Sequence, residues 1–150
     1  MAPPLMPRNA TSPSGFKRPL RRSLKRQRLG QKAYRQGHRA EWWAAVYLMT
    51  KGYQILAFRH KTRGGEIDIL ARKGSALIVV EVKRRLSHDD ALLAVTPDQY
   101  ARLLRAGQSV QRSRPSLLGL DLRIDLLALA PMRWPRHLKG LMSVREAYDA

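Results

Sequence analysis

Two consecutive segments of this 150-residue chain have the composition of β-strands, yet both contain acidic residues. Residues 66–71 alternate acidic and apolar side chains, and residues 76–83 are rich in Val and Ile. Residues 72–75, Arg-Lys-Gly-Ser, have the composition of a turn. Together these segments predict a β-hairpin with acids inside its strands.

The alternation of side chains along a strand predicts which acids share a face. On the first strand Glu66 and Asp68 share one face, and the apolar Ile67, Ile69 and Ala71 share the other. On the second strand Glu81 and Lys83 share a face. Pairing across the turn then places Asp68 opposite Glu81 and Glu66 opposite Lys83.

Directly opposed carboxylates have Cβ atoms about 5 Å apart and destabilise a sheet by repulsion. A divalent cation removes this conflict, and Mg²⁺ prefers oxygen ligands from one or two carboxylates, water and phosphate. Lys83 is then placed to hold a water molecule or to stabilise developing phosphate charge. The alternative is that Asp68 and Glu81 face solvent and pair with neighbouring arginines.

The other predicted elements surround this hairpin. Helical spacing of small and apolar residues predicts a helix over residues 32–50, which Gly52 ends, and residues 53–58 form a short β-prone segment before a polar loop at 59–64. A second helix over residues 96–112 has Thr96 as N-cap and Gln99 as the closing residue of a capping box.

A further strand is predicted over residues 122–129, and residues 144–148 form a final short strand or turn. The order of helix, three strands, helix and strand predicts an α/β domain. Within the late strand, a buried structural pair of Asp125 with Arg123 is favoured over a metal-binding role for Asp125.

The net charge of +18 arises from 29 Lys and Arg against 11 Asp and Glu. Residues 1–40 contain no acid, and five of the nine prolines lie within the first 19 residues. We expect residues 1–30 to form a disordered basic tail and residues 31–150 to form the folded domain. Such charge implies a polyanionic partner, and on this ground alone RNA, DNA and an acidic membrane surface remain alternatives.

The absence of cysteine excludes disulfides, thiolate metal sites and a cysteine nucleophile. No apolar run is long enough for a membrane span, and the first residues lack the apolar segment of a signal peptide. We therefore expect a cytoplasmic location and no membrane association. Trp42 and Trp43 are adjacent on the first helix and cannot both face the core. The alternatives for one of them are a packing or dimer contact or a base-stacking platform, and a core position with partial exposure is favoured.

The combination of Asp68 with Glu81-Val82-Lys83 resembles the PD-(D/E)XK nuclease superfamily. Its restriction-endonuclease-like core has an acid at the end of one strand and E-x-K on the next. Further matching segments make the likeness more specific, namely residues 37–41, 47–48, 52–56, 65–71, 80–85, 94–97 and 123–125. Over residues 35–149 the chain resembles the YraN-type family of small bacterial proteins, an endonuclease-like branch of that superfamily.

This resemblance implies a mixed β-sheet flanked by helices. It also implies an acidic site at one edge of the sheet that binds Mg²⁺ or Mn²⁺ through Asp68 and Glu81. It implies that Glu41 on the first helix is a further acid near the metal and that Glu66 is an auxiliary ligand. Lys83 is implied as the residue that positions the attacking water. Gln99 departs from the family pattern, which has lysine at this position.

Two functions follow from these expectations. The first is a metal-dependent endonuclease acting on DNA, including branched or damaged DNA, and a homodimer is expected if both strands are cut. Its phosphate contacts are expected from Lys61, Arg63, Arg84 and Arg85, with Gln99 as a neutral contact. The alternative is a non-catalytic nucleic-acid-binding module that retains the nuclease fold, which the neutral Gln99 favours.

Overall fold

A computed structural model describes residues 37–141 of the chain. The predicted tail of residues 1–30 and the predicted final strand of residues 144–148 lie outside this range. Within it the elements are helix α1 (37–50), strands β1 (Gln54–Thr62), β2 (Gly65–Lys73) and β3 (Ala76–Arg84), helices α2 (His88–Leu93) and α3 (Pro97–Ser113), a 3₁₀ turn (Pro115–Leu117), and strands β4 (Asp121–Leu129) and β5 (Arg136–Leu138).

The strands between residues 54 and 138 form one mixed sheet with the order β1-β2-β3-β4-β5. The β1–β2, β2–β3 and β4–β5 pairs are antiparallel, whereas β3 and β4 run parallel. The connection from β3 to β4 passes through α2 and α3, as a parallel pair requires a crossover. The predicted α/β class is confirmed.

The two long helices cover opposite faces of the sheet. Helix α1 contributes Ala44, Ala45 and Leu48 to one apolar cluster, which includes Ile69, Ile78, Val80 and Leu127 of the strands. Helix α3 contributes Leu103, Ala106 and Val110 to a second cluster, which includes Leu70, Val79 and Ile124. The central strands are thus buried on both sides, and only their ends are free to form a site.

The ends of these helices follow the sequence signals. Gly52 adopts a positive φ of 82° immediately after α1, a backbone conformation that glycine tolerates better than other residues. Thr96 caps α3 by accepting a hydrogen bond from the backbone N–H of Gln99. The predicted closure of the capping box is wrong, because the side chain of Gln99 bonds to Glu81 and not to the helix terminus.

The prediction of a polar loop over residues 59–64 is wrong for residues 59–62, which belong to strand β1. Strand β1 continues through His60 and Lys61, which pair with Ile67 and Glu66 of β2, and the turn is confined to Arg63 and Gly64. Because β1 is the edge strand of the sheet, its polar side chains remain accessible to water, so polar composition does not prevent pairing.

The predicted hairpin is confirmed, with its turn at Gly74 and Ser75, and its register holds from Lys73–Ala76 to Ile69–Val80. The expected pairs of Asp68 with Glu81 and Glu66 with Lys83 lie beyond the last described ladder pair. The prediction that Ile67 and Ile69 share one face of β2 is wrong. Ile67 belongs to the apolar cluster that includes α3, and Ile69 belongs to the cluster that includes α1. Before Ile69, β2 is paired with β1 alone, so the change of face occurs where the β2–β3 ladder ends.

Two short elements were absent from the sequence prediction. Helix α2 begins after Ser87, whose side chain accepts from the N–H of Asp90, and strand β5 pairs with residues 126–128 of β4. Six and three residues are too short for a hydrophobic period to be visible in the sequence.

Candidate functional site

An open cleft of about 690 Å³ lies where β2 and β3 separate, next to the first described residues of helix α1. It is lined by Gly37, Ala40, Glu41, Asp68, Glu81, Val82, Lys83, Arg84, Arg85, Leu86 and Pro131. Three carboxylates from three different elements therefore meet at one surface with a lysine. These are the four residues that the sequence analysis identified as catalytic.

Glu81 is the most enclosed acid of the cleft, with 5% of its surface exposed. Its Oε1 lies 2.9 Å from Lys83 Nζ and accepts a hydrogen bond from the Gln99 side chain. Its Oε2 is buried without a hydrogen-bond partner, and Arg102 Nη2 is 3.8 Å away. A buried carboxylate oxygen without a hydrogen bond is costly, so this atom is available for a cation.

Asp68 lies at the opening between the two strands. Its Oδ2 accepts a hydrogen bond of 2.9 Å from the backbone N–H of Val82, which replaces the ladder bond expected in a continued sheet. The pKa of Asp68 is raised from 3.8 to about 6, first by burial and then by the nearby charges of Glu81 and Glu41, while the Val82 bond and Lys83 act in the opposite direction. A bound cation would offset this accumulation of negative charge.

Glu41 is held by an arginine from the edge strand. Arg59 Nε lies 2.8 Å from Oε2 and 3.1 Å from Oε1 of Glu41. Arg59 has a φ of 44°, a left-handed conformation that is unfavourable for a residue with a side chain. In this arrangement Glu41 lines the cleft while its charge is already paired.

The carboxylates fit a divalent cation only in part. Between residues 37 and 141 no group of three or more Asp, Glu, His or Cys side chains has the closeness of a metal cluster. Asp68 and Glu81 supply the two oxygen-bearing side chains that Mg²⁺ usually takes from protein, with water and phosphate as its other ligands. Glu41 could become a third ligand only after its ion pair with Arg59 is broken.

The structure divides the predicted phosphate-binding residues into two groups. Arg84 and Arg85 are exposed and line the cleft, and Gln99 contacts Glu81 from α3. Lys61 and Arg63 are exposed near the β1–β2 turn and do not line the cleft. Glu66, predicted as an auxiliary ligand, is likewise exposed outside it and lies opposite Lys61 in the sheet.

Sequence analysis missed two arginines of the site. Arg102 lies three residues after Gln99, a spacing that places both on one face of a predicted helix, so this signal was present in the sequence. Arg59 had no comparable signal, because its position depends on a left-handed backbone conformation in β1.

The predicted pair of Arg123 with Asp125 is confirmed as a buried structural group. Both nitrogens, Nε and Nη2, lie 2.8 Å from the carboxylate, and His137 and the N–H of Gly140 bond to it as well. Burial opposes ionisation of Asp125, but the bonds from His137, Arg123 and Gly140 outweigh it and lower the pKa of this carboxyl. The group fastens β5 and the segment after it to β4.

Substituting Asp68 with asparagine should increase the stability of the metal-free protein at pH 8 but not at pH 4. The folded-state pKa of about 6 exceeds the ordinary value of 3.8, so the folded protein binds this proton more tightly than the unfolded chain. Stability of the wild type must then decrease as the pH rises between these values. Urea unfolding in EDTA measures this, with the exposed Asp121→Asn as matched control. A difference in unfolding free energy between Asp68→Asn and the wild type that is the same at pH 4 and pH 8 would contradict the raised pKa of Asp68.

None of the helices between residues 37 and 141 has the length and apolar character that a membrane crossing requires. The described residues form an α/β domain with a five-stranded mixed sheet between helices, consistent with a restriction-endonuclease-like core. An acidic cleft lies at one end of the central strands.

The chain belongs to the family described as uncharacterised protein family UPF0102, which it matches over residues 40–129. This confirms the YraN-type resemblance. A UPF0102 protein from Caulobacter sp. is 51% identical over 123 residues, covering 81% of this chain and 88% of its own length. One from Caulobacter vibrioides is 52% identical over 113 residues (75% and 90%), and one from Mesorhizobium japonicum is 48% identical over 111 residues (73% and 88%).

Proposed function

We propose that this protein is a Mg²⁺- or Mn²⁺-dependent endonuclease that hydrolyses phosphodiester bonds in DNA. The observation that carries the proposal is the meeting of Glu41, Asp68, Glu81 and Lys83 in one cleft beside exposed arginines. A surface used only to bind phosphate has no need of three carboxylates, because they repel the backbone of a nucleic acid.

Each residue of the cleft has a separate role in this proposal. Asp68 and Glu81 hold the divalent cation, which when bound polarises the phosphate and lowers the pKa of water. Lys83, next to Glu81, positions the attacking water and stabilises negative charge that develops on the phosphate. Water attacks phosphorus and gives up a proton, the bond from phosphorus to one ester oxygen breaks, and that oxygen leaves after taking up a proton.

Glu41 assists only after its ion pair with Arg59 opens. We expect that a phosphate entering the cleft competes for Arg59, which would release Glu41 toward the cation. Arg102 supplies a positive charge on α3 near Glu81, where Gln99 supplies none. Arg102 therefore offsets the absence of lysine at residue 99.

The partner of this site is nucleic acid. Arg84 and Arg85 border the cleft, and the whole chain carries a net charge of +18, which favours a polyanionic substrate. We propose DNA as the substrate, a cytoplasmic location and, where both strands of a duplex or junction are cut, a homodimer.

The experiment that tests this function is a cleavage panel of single-stranded, duplex, flap and four-way DNA. We expect the purified full chain to cut at least one substrate with Mg²⁺ or Mn²⁺, and none in EDTA. Tight, salt-sensitive binding to these substrates without cleavage in either metal would reject the nuclease.

That second outcome would support a non-catalytic nucleic-acid-binding module. Its favouring observation is that Glu41 and Glu81 already have cationic partners, Arg59 and Lys83, in the metal-free arrangement. In this alternative Glu81→Gln leaves DNA affinity unchanged, whereas the nuclease proposal expects Glu81→Gln to abolish cleavage.

A further inference from the structure

A second depression, a groove of about 590 Å³, lies beside the acidic cleft. It runs between helix α1 and the segment that follows strand β4, and its walls are mainly apolar. Aromatic side chains come from both sides, with Trp43 and Tyr47 on the helix and Trp134 on the facing segment. Its volume is within the range of about 300–1,000 Å³ that small-molecule pockets occupy.

Both tryptophans of the groove are exposed, Trp43 by 62% and Trp134 by 86%. The expectation that one of Trp42 and Trp43 packs in the core is wrong, since Trp42 is 59% exposed as well. Trp134 is followed by Pro135, which restricts the backbone that presents it. Large aromatic surface left in contact with water marks an interaction site.

The groove is complementary to an anionic ligand with flat apolar parts. Arg39, Arg84 and Arg133 lie among its aromatic rings, and no acidic side chain is among the described residues that line it. Aromatic rings stack on nucleobases, and guanidinium groups pair with the phosphates that link them, so this combination fits a nucleic acid strand.

The groove and the cleft are continuous. Arg84, Ala40 and Pro131 line both of them, and Arg84 is paired with Leu129 at the ends of the parallel strands β3 and β4. A phosphate bound by Arg84 therefore has the acidic cleft on one side and the aromatic groove on the other.

We infer that this groove binds an unpaired nucleobase of the DNA substrate, stacked between Trp43 and Trp134, adjacent to the phosphate in the acidic cleft. The inference deepens the proposed function and rests on it for the nature of the substrate. Bases inside a duplex are stacked on their neighbours and cannot enter such a groove without being extruded. The groove therefore selects flaps, bulges and single strands over continuous duplex.

Binding measured in EDTA separates this selectivity from catalysis. The probes are a fluorescein-labelled DNA flap and a fully paired duplex of equal length, and fluorescence anisotropy gives the affinity of the full chain for each. We expect the wild type to prefer the flap by about tenfold, the effect of one stacked base. Trp43→Ala and Trp134→Ala should remove this preference, and Trp43→Phe should restore most of it.

Phe58→Ala is the control, because Phe58 is an exposed aromatic residue of β1 that does not line the groove, whereas Trp42 is unsuitable since its ring contacts that of Trp43. It should retain the preference. Equal affinity of the wild type for both probes, or an undiminished preference in Trp43→Ala, would overturn the inference. The inference would also fail if the wild type sediments as a dimer and Trp134→Ala sediments as a monomer with unchanged affinity for the flap. A second copy of the chain would then occupy the groove. A flap preference without cleavage in either Mg²⁺ or Mn²⁺ would reject the nuclease and retain the base-binding groove.

Discussion

Replacing Lys83 with alanine is expected to lower the rate of Mg²⁺-dependent plasmid nicking by about 100-fold or more. Removal of one group that stabilises transition-state charge costs about 10²–10³ in rate. Lys83 Nζ lies 2.9 Å from Glu81 in the acidic cleft, so its charge is fixed next to the site proposed for the cation. The measurement is the initial nicking rate of supercoiled plasmid at saturating protein and Mg²⁺.

Two controls separate catalysis from binding and folding in this experiment. Lys139→Ala removes an exposed lysine that does not line the cleft and should leave the nicking rate unchanged. Plasmid affinity in EDTA should change only a few-fold in Lys83→Ala, because the surrounding arginines remain. Nicking by Lys83→Ala at the wild-type rate would show that the activity does not come from this site.

The second large effect concerns stability. Replacing Asp125 with alanine should reduce the free energy of unfolding by about 3 kcal/mol, in the range for breaking a buried charged network. The substitution removes the shared partner of Arg123, His137 and the N–H of Gly140, and Asp125 is fully buried. Urea unfolding at pH 7 measures the loss.

The control for Asp125 is Asp89, whose ion pair with Arg136 is exposed. Asp89→Ala should change the stability little, since exposed ion pairs contribute little. The pKa of Asp125 is lowered in the folded state, so its contribution is present at neutral pH and decreases as the pH falls below 3.8. A loss in Asp125→Ala no greater than in Asp89→Ala would contradict the structural role.

The sequence predicted the central part of the fold because local and long-range signals agree there. The Thr96–Pro97 start of α3, the Gly52 stop and the Gly74–Ser75 turn are local features that the structure confirms. The residues of β1 gave a misleading signal, because an edge strand tolerates the polar composition of a loop.

The site was predictable in its acids and less so in their partners. Asp68, Glu81 and Lys83 stand at fixed spacing on two adjacent strands, so pairing alone brings them together. The pairing of Glu41 with Arg59 depends on the packing of α1 against an irregular edge strand, which no short-range pattern encodes. The separation of β2 and β3 beyond Ile69–Val80 likewise arises from tertiary structure.

The proposed function depends on a divalent cation held between Asp68 and Glu81. Calorimetric titration of Mn²⁺ into the full chain, in parallel with Glu81→Gln and Glu66→Gln, measures this most directly. We predict saturable binding to the wild type and to Glu66→Gln, whose substituted side chain lies outside the cleft, and affinity at least about tenfold weaker in Glu81→Gln. Absence of Mn²⁺ binding by the wild type, or equal binding by all three proteins, would contradict the account.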